Sequence, residues 1–132
     1  MWYYHDVWRV WTLCLVYYEA KNRALNNNEI FHVAAYVNKK GTIGVNSERR
    51  KTAKFRKRYA NSPDTHYGIH AEVDLILKLQ DIPERIHVMR CFKDGTLTMA
   101  KPCVHCQNFL RIKGVKAVRY TNWDGDWETM KL

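Results

Sequence analysis

The sequence predicts an α/β layered domain. Segments with apolar residues at helical spacing alternate with short runs rich in Val, Ile and aromatic residues, each bounded by turn residues. Two helical segments, 69–80 and 102–113, stand on either side of an apolar run over 86–92, and hairpin turns are signalled at 39–41 and 124–125. With 132 residues, 46% apolar and 27% charged, residues 1–132 read as a single domain without repeat, linker or low-complexity tract. That composition supplies one compact core and excludes a multidomain machine, a disordered chain and a disulfide-stapled miniprotein.

Taken in order, Tyr4, Val7, Trp8, Trp11, Leu15 and Tyr18 recur at three- and four-residue steps. His5, Arg9, Thr12 and Glu19 mark the opposite side, as in an amphipathic helix whose apolar stripe covers the sheet or a subunit contact. His5, Asp6, Arg9 and Thr12 also interrupt the aromatic run, so neither a membrane span nor a signal peptide is expected. Residues 30–38 and 42–46, rich in Val, Phe and Tyr around Lys39-Lys40-Gly41, predict a hairpin. The polar, basic stretch 47–68, ending in Pro63, Asp64 and Gly68, reads as a loop with one or two helical turns.

Val73, Ile76, Leu77 and Leu79 then return to helical spacing, closed by Pro83. A buried strand over 86–92, a turn at Lys93-Asp94-Gly95 and a short extended return over 96–99 follow. Pro102 opens the next helix and Gly114 lies beyond its end. The runs 115–121 and 127–132 flank Asp124-Gly125 as a terminal hairpin. The tail is too short for a crossover, so the last strand is expected antiparallel to its predecessor.

Chemistry resides in two short strings, His70-Ala71-Glu72 and Pro102-Cys103-Val104-His105-Cys106, each at the opening of a predicted helix. The second is much the rarer by chance and carries the specificity. Two Cys three apart on a first helical turn aim both thiolates at one point, where the helix N-terminus favours their charge. A His from a facing helix completes three ligands of the kind that leave a fourth tetrahedral position of Zn²⁺ for water, and Glu72 is then placed to act as acid and base. His105, inside the Cys-x-x-Cys, points away from both thiols and reads as a surface residue. Cys14 and Cys91 fall in apolar periodic segments and read as buried small hydrophobes. His66 and Tyr67 precede the His-x-Glu helix and are read either as loop residues or as neighbours of the substrate.

His70-x-Glu72 followed by Pro102-Cys103-x-x-Cys106 resembles the zinc-dependent cytidine and deoxycytidylate deaminase superfamily. A leading helix, a hairpin ending in Gly44-Val45-Asn46 and two helices separated by a strand extend the resemblance from about Val7 to Thr121. It implies a three-layer α/β/α sandwich around a mixed sheet of about five strands. It also implies His70, Cys103 and Cys106 as zinc ligands, Glu72 as proton shuttle, Ala71 beside the bound base and Asn46 on the sugar or base. The implied activity is hydrolytic deamination of a cytosine base, releasing ammonia and leaving uracil. The chain departs from the best-known subfamilies at Met99-Ala100-Lys101, which lacks the Ser or Glu often found before the Pro-Cys pair.

Substrate expectations rest on charge. The net charge is +9, and seven basic residues between Ser47 and Arg58 against Glu48 place +6 of it in one segment. Within it, Arg49, Arg50 and Lys51 are read as phosphate contacts at the pocket rim, against the alternative of a solvated face. The preferred substrate is a cytosine nucleotide or nucleoside. Cytosine or adenine in single-stranded DNA or RNA is the alternative, because seven cations exceed what one phosphate needs. Two readings without catalysis compete: a zinc-stabilised nucleic-acid-binding module and a Cys103/Cys106 redox pair. A homo-oligomer is a further expectation, with Trp123 and Trp127 packing across the last hairpin or between copies. Four Cys and no leader sequence point to a reducing, cytoplasmic setting.

Overall fold

The structure is a computed structural model and describes residues 15–29, 31–38, 40–47 and 69–132. Helix α1 is described over 15–25. The hairpin β1 (His32–Val37) and β2 (Lys40–Val45) follows, then α2 (Ala71–Lys78), β3 (Arg85–Cys91) and β4 (Leu97–Thr98). Helix α3 (Val104–Lys113) leads to β5 (Ala117–Thr121) and β6 (Trp127–Lys131). The strands form one mixed sheet in the order β2-β1-β3-β5-β6, with β4 also paired to β3. β1 is antiparallel to both β2 and β3, and β3 is parallel to β5. The parallel pair is joined across α3, as such a connection requires. The last strand is antiparallel to β5, as expected from the short tail.

Six strands stand where about five were expected. The difference is β4, and backbone hydrogen bonding accounts for it. β5 pairs with β3 only from Arg85 to Val88, so the far end of β3 needs another partner; Thr98 and Leu97 pair there with Arg90 and Cys91.

Helices cover both faces of the sheet. On one face Ala35, Ile86, Val88, Val118 and Tyr120 share a core with Val73, Leu75 and Ile76 of α2 and Cys106, Phe109 and Leu110 of α3. On the other, Ala34, Tyr36, Ile43, Met89 and Cys91 pack with Ala20 and Ala24 of α1. The odd-even alternation along β1 and β3 divides the two cores, as a pleated strand dictates. The predicted stripe of α1 differs from the buried one. Leu15 and Tyr18 are 60% and 64% exposed, whereas Val16, Tyr17, Ala20, Ala24 and Leu25 face the sheet. The two alanines let the helix lie close, which outweighs the larger side chains in setting its orientation. Tyr4, Val7, Trp8 and Trp11 lie outside the described residues.

Gly44 decides how closely α2 approaches β2. A Cβ there would fall 2.4 Å from the Ala71 carbonyl oxygen and 2.4 Å from the Leu75 nitrogen, both backbone atoms that cannot move aside. The contact is tied by Asp74, whose carboxylate accepts from the Val45 N–H at 2.9 Å and pairs with Lys78 at 2.8 Å. Lys78 also donates to the Ile43 carbonyl at 3.2 Å.

Candidate metal centre

Two helix starts meet at one end of the sheet. His70 is the N-cap of α2 and Cys103 the N-cap of α3; both are extended, and neither side chain caps its own helix. Ser, Thr and Asp favour such positions because their oxygens bond the first-turn N–H groups. Here the cap side chains turn towards each other instead. His70 is delivered by a two-bond antiparallel bridge between Ser47 and Ile69, with N···O distances of 2.9 and 2.7 Å.

Cys103 is delivered from the other side. The Thr121 hydroxyl donates to the Thr98 carbonyl at 2.6 Å and accepts from the Arg90 N–H at 3.3 Å. The Ala100 N–H bonds the Thr121 carbonyl at 2.8 Å. Gln107 then closes the first turn of α3, donating its side-chain amide to the Pro102 carbonyl at 2.8 Å. The fully buried Thr121 and the Gln107 brace hold the Pro-Cys segment and were not anticipated. A lone hydroxyl residue ending an apolar strand is their only trace in the sequence.

The donor atoms of His70, Cys103 and Cys106 all lie within 4.8 Å of one another. Nδ1 of His70 is 3.1 Å from the Cys106 Sγ and 3.9 Å from the Cys103 Sγ. A tetrahedral zinc ion with ordinary Zn–S and Zn–N bonds needs an N···S edge of about 3.6 Å, and the two observed edges straddle it. One imidazole and two thiols are moreover the donor set that zinc prefers over harder cations. The three residues therefore lie close enough to hold a metal ion and fit zinc in both size and chemistry.

The electrostatics of the site favour negative charge on the Cys103 sulfur. Hydrogen bonds from Cys106 and His70 hold the Cys103 thiol far below its ordinary pKa. The same shared hydrogen bond and burial push the Cys106 thiol up. A divalent cation bound there would favour both thiolates. Glu72, 5% exposed and within hydrogen-bonding reach of Cys106, has its pKa raised by burial; the His70 charge opposes that rise only in part. A carboxyl poised towards its protonated form beside a metal site suits proton transfer.

Other expected site residues fall as follows. Ala71 is buried in the core beneath α2. The Asn46 side chain is engaged with backbone and with Asn27: its Oδ1 accepts from the Val33 N–H at 3.1 Å and from Asn27 at 2.7 Å, while its Nδ2 donates to the Phe31 carbonyl at 2.9 Å. Its immediate neighbour Ser47 forms the bridge that leads to His70. Arg49, Arg50, Lys51 and the rest of the basic segment lie outside the described residues, as do Cys14, His66 and Tyr67. His105 is exposed and Cys91 buried, both as anticipated. Trp123 is 71% exposed; Trp127 meets Tyr17 and His87 edge-on and carries Arg119 over its ring.

Fold and donor set together define a mixed α/β protein with a His-Cys-Cys site able to hold a metal ion. Comparison with family models, curated proteins and solved structures finds no significant match. Among the described residues no helix is long and apolar enough to cross a membrane.

Proposed function

We propose that this chain is a zinc-dependent hydrolytic deaminase that acts on the cytosine base of a nucleotide or nucleoside. The observation that carries the reading is the convergence of His70, Cys103 and Cys106 with the buried carboxyl of Glu72 against Cys106. Among the described residues three protein donors converge, a number that would leave a fourth tetrahedral position for water, as in a catalytic zinc site rather than a closed structural one. The order of helices and strands, with helices on both faces, supports a cytidine-deaminase-like sandwich.

His70, Cys103 and Cys106 would hold the zinc ion, which would supply Lewis acidity that brings the pKa of a water molecule towards neutrality. Glu72 accepts that water's proton on a carboxylate oxygen as the water oxygen bonds to the ring carbon bearing the amine. It first passes the proton to the adjacent ring nitrogen. It then carries the second proton of the attacking oxygen to the amine, and the carbon–nitrogen bond breaks to release ammonia. The balance is cytosine plus water to uracil plus ammonia, with no organic cofactor. Burial of Glu72 suits it to hold each proton between transfers.

Deamination within a single strand is the second reading, favoured by the seven basic residues between Ser47 and Arg58. One experiment tests the class. Purified protein is analysed for metal and assayed for ammonia release from cytosine compounds, beside Glu72→Ala. One zinc per chain in both proteins, with turnover lost by at least about a thousandfold in the variant, is expected. Near-normal turnover in Glu72→Ala would remove Glu72 from the mechanism. Zinc without turnover on any base would make the chain a zinc-stabilised binding module.

A further inference from the structure

Between the two segments that deliver the metal donors, the sheet carries an arginine that the chemistry above does not use. Val33 pairs with Arg90 across β1 and β3, and Arg90 pairs with Thr98 across β3 and β4. On the far side of Val33 lies Asn46, bonded to the Val33 N–H and adjacent to the Ser47 bridge that delivers His70. Beyond Thr98 the chain runs through Ala100, held on Thr121, to Cys103. One row across the sheet therefore has the His70 segment at one end, the Cys103 segment at the other and Arg90 between them.

The face is also the right one. Ile86 and Val88 point into the core beneath α2 and α3, and Met89 and Cys91 into the opposite core, so Arg90 belongs to the face on which both helices start. Its guanidinium lies over the Phe31 ring, 4.7 Å from the centroid. Phe31 is 54% exposed and Arg90 is partly exposed. Among the described residues no carboxylate pairs with Arg90, whereas Arg23, Lys78 and Lys116 each have one. A guanidinium lying over an aromatic face can still offer its N–H edges, and among the described residues no carboxylate takes those of Arg90, an arrangement suited to a two-pronged grip on phosphate.

We propose that Arg90, backed by Phe31, binds a phosphate of the substrate, so that the site takes phosphorylated nucleosides in preference to free ones. This rests on the deaminase reading for the base, while the phosphate grip stands on the Arg90 geometry itself. The phosphate belongs either to a mononucleotide or to the backbone of a strand; the chemistry at Arg90 is the same.

The test measures binding without turnover. Zinc-loaded protein in the Glu72→Ala background is titrated calorimetrically with cytidine and with cytidine 5′-monophosphate. The monophosphate is expected to bind at least about tenfold more tightly, and Arg90→Gln to abolish that ratio while leaving cytidine affinity and zinc content unchanged. Arg90→Lys keeps the charge but loses the planar fork and is expected to recover only part of the ratio. Phe31→Leu, which removes the backing ring, is expected to lower the ratio severalfold. The proposal is overturned if the monophosphate binds no tighter than cytidine, or if Arg90→Gln weakens both ligands equally.

A short single strand with one cytosine distinguishes the source. Tighter binding than the monophosphate with a steep salt dependence assigns the grip to a strand, and a shallow dependence assigns it to a mononucleotide. Phosphate discrimination without ammonia release would overturn the deaminase and keep the grip. Ammonia release without discrimination would do the reverse.

Discussion

Gly44 and Asp74 act at the scale of single residues, and both seat the helix that carries His70 of the candidate metal centre. The Gly44 backbone lies so close to α2 that any side chain meets immovable peptide atoms. Gly44→Ala is therefore expected to destabilise the fold by roughly 3 kcal/mol, the upper range for overpacking, as read by urea denaturation. It should also weaken zinc retention, because α2 carries His70 at its tip. A variant as stable as the parent would show that α2 is not seated on β2 as described. Asp74 illustrates how little of this is visible beforehand. In the sequence it is one acidic residue on a helix; in the fold it caps the end of β2 through the Val45 N–H. The metal donors are different, since their residue types and spacing announce their chemistry before any contact is known.

Two elements, α2 and α3, approach at their N-termini through the donor set. A bound ion would join two helices that otherwise touch through Cys106, Phe109 and their neighbours in the shared core. Removing zinc with a chelator is expected to lower stability by about 3 kcal/mol at ordinary excess of metal over its dissociation constant. The loss should be fully restored by added zinc. Hydrogen exchange should quicken first in 70–76 and 102–110 and least in β3, whose strand is paired on both sides. An unchanged melting temperature on chelation would remove the metal from the structure's support.

The end of α3 was legible because Gly114 is a strong local signal, and it adopts the left-handed conformation, with φ of 104°; the start expected at Pro102 instead falls at Val104, with Cys103 as the N-cap and Pro102 before it. The extended return read over 96–99 is present as β4 at Leu97–Thr98, but its pairing with the end of β3 was not legible, because that depends on where β5 stops pairing. The facing of α1 was misread for a related reason. Periodicity identifies a helix, but Ala20 and Ala24 compete with larger residues for the sheet, and close approach favours the smaller pair.

Across the whole molecule the sheet separates two chemistries. The α2/α3 face carries the candidate metal donors, whereas the α1 face buries His87 between Tyr36, stacked at 5.2 Å, and Trp127, edge-on at 6.0 Å. Burial, with the Arg119 and Arg85 charges adding to it, lowers the His87 pKa to about 4 from 6.5. Folding thus favours neutral His87, so its contribution is complete above pH 6.5 and is lost as pH falls through that value to about 4. Glu72 acts with the opposite sign, since its raised pKa makes the charged carboxyl a cost that protonation relieves. Denaturation at pH 7 and pH 4.5 should therefore show a smaller acid loss in His87→Gln than in the parent. Equal losses would mean that His87 is not held neutral by the fold. Comparison with the variant also cancels the acid release of zinc from the thiols, which both proteins share.

By itself the sequence determined the alternation of helices and strands, the donor types and the carboxyl beside them. Each depends on residues close together in the chain, where period, capping and turn chemistry act. Tertiary structure decided what depends on strand register and on which face each helix covers. It brought Cys103 and Cys106 to His70, tied Asn46 to the backbone of β1 and placed Arg90 midway between the two donor segments. The physical reason is the pleat: one residue of slip in β1 against β3 would turn Arg90 to the other core, and no local signal records that choice.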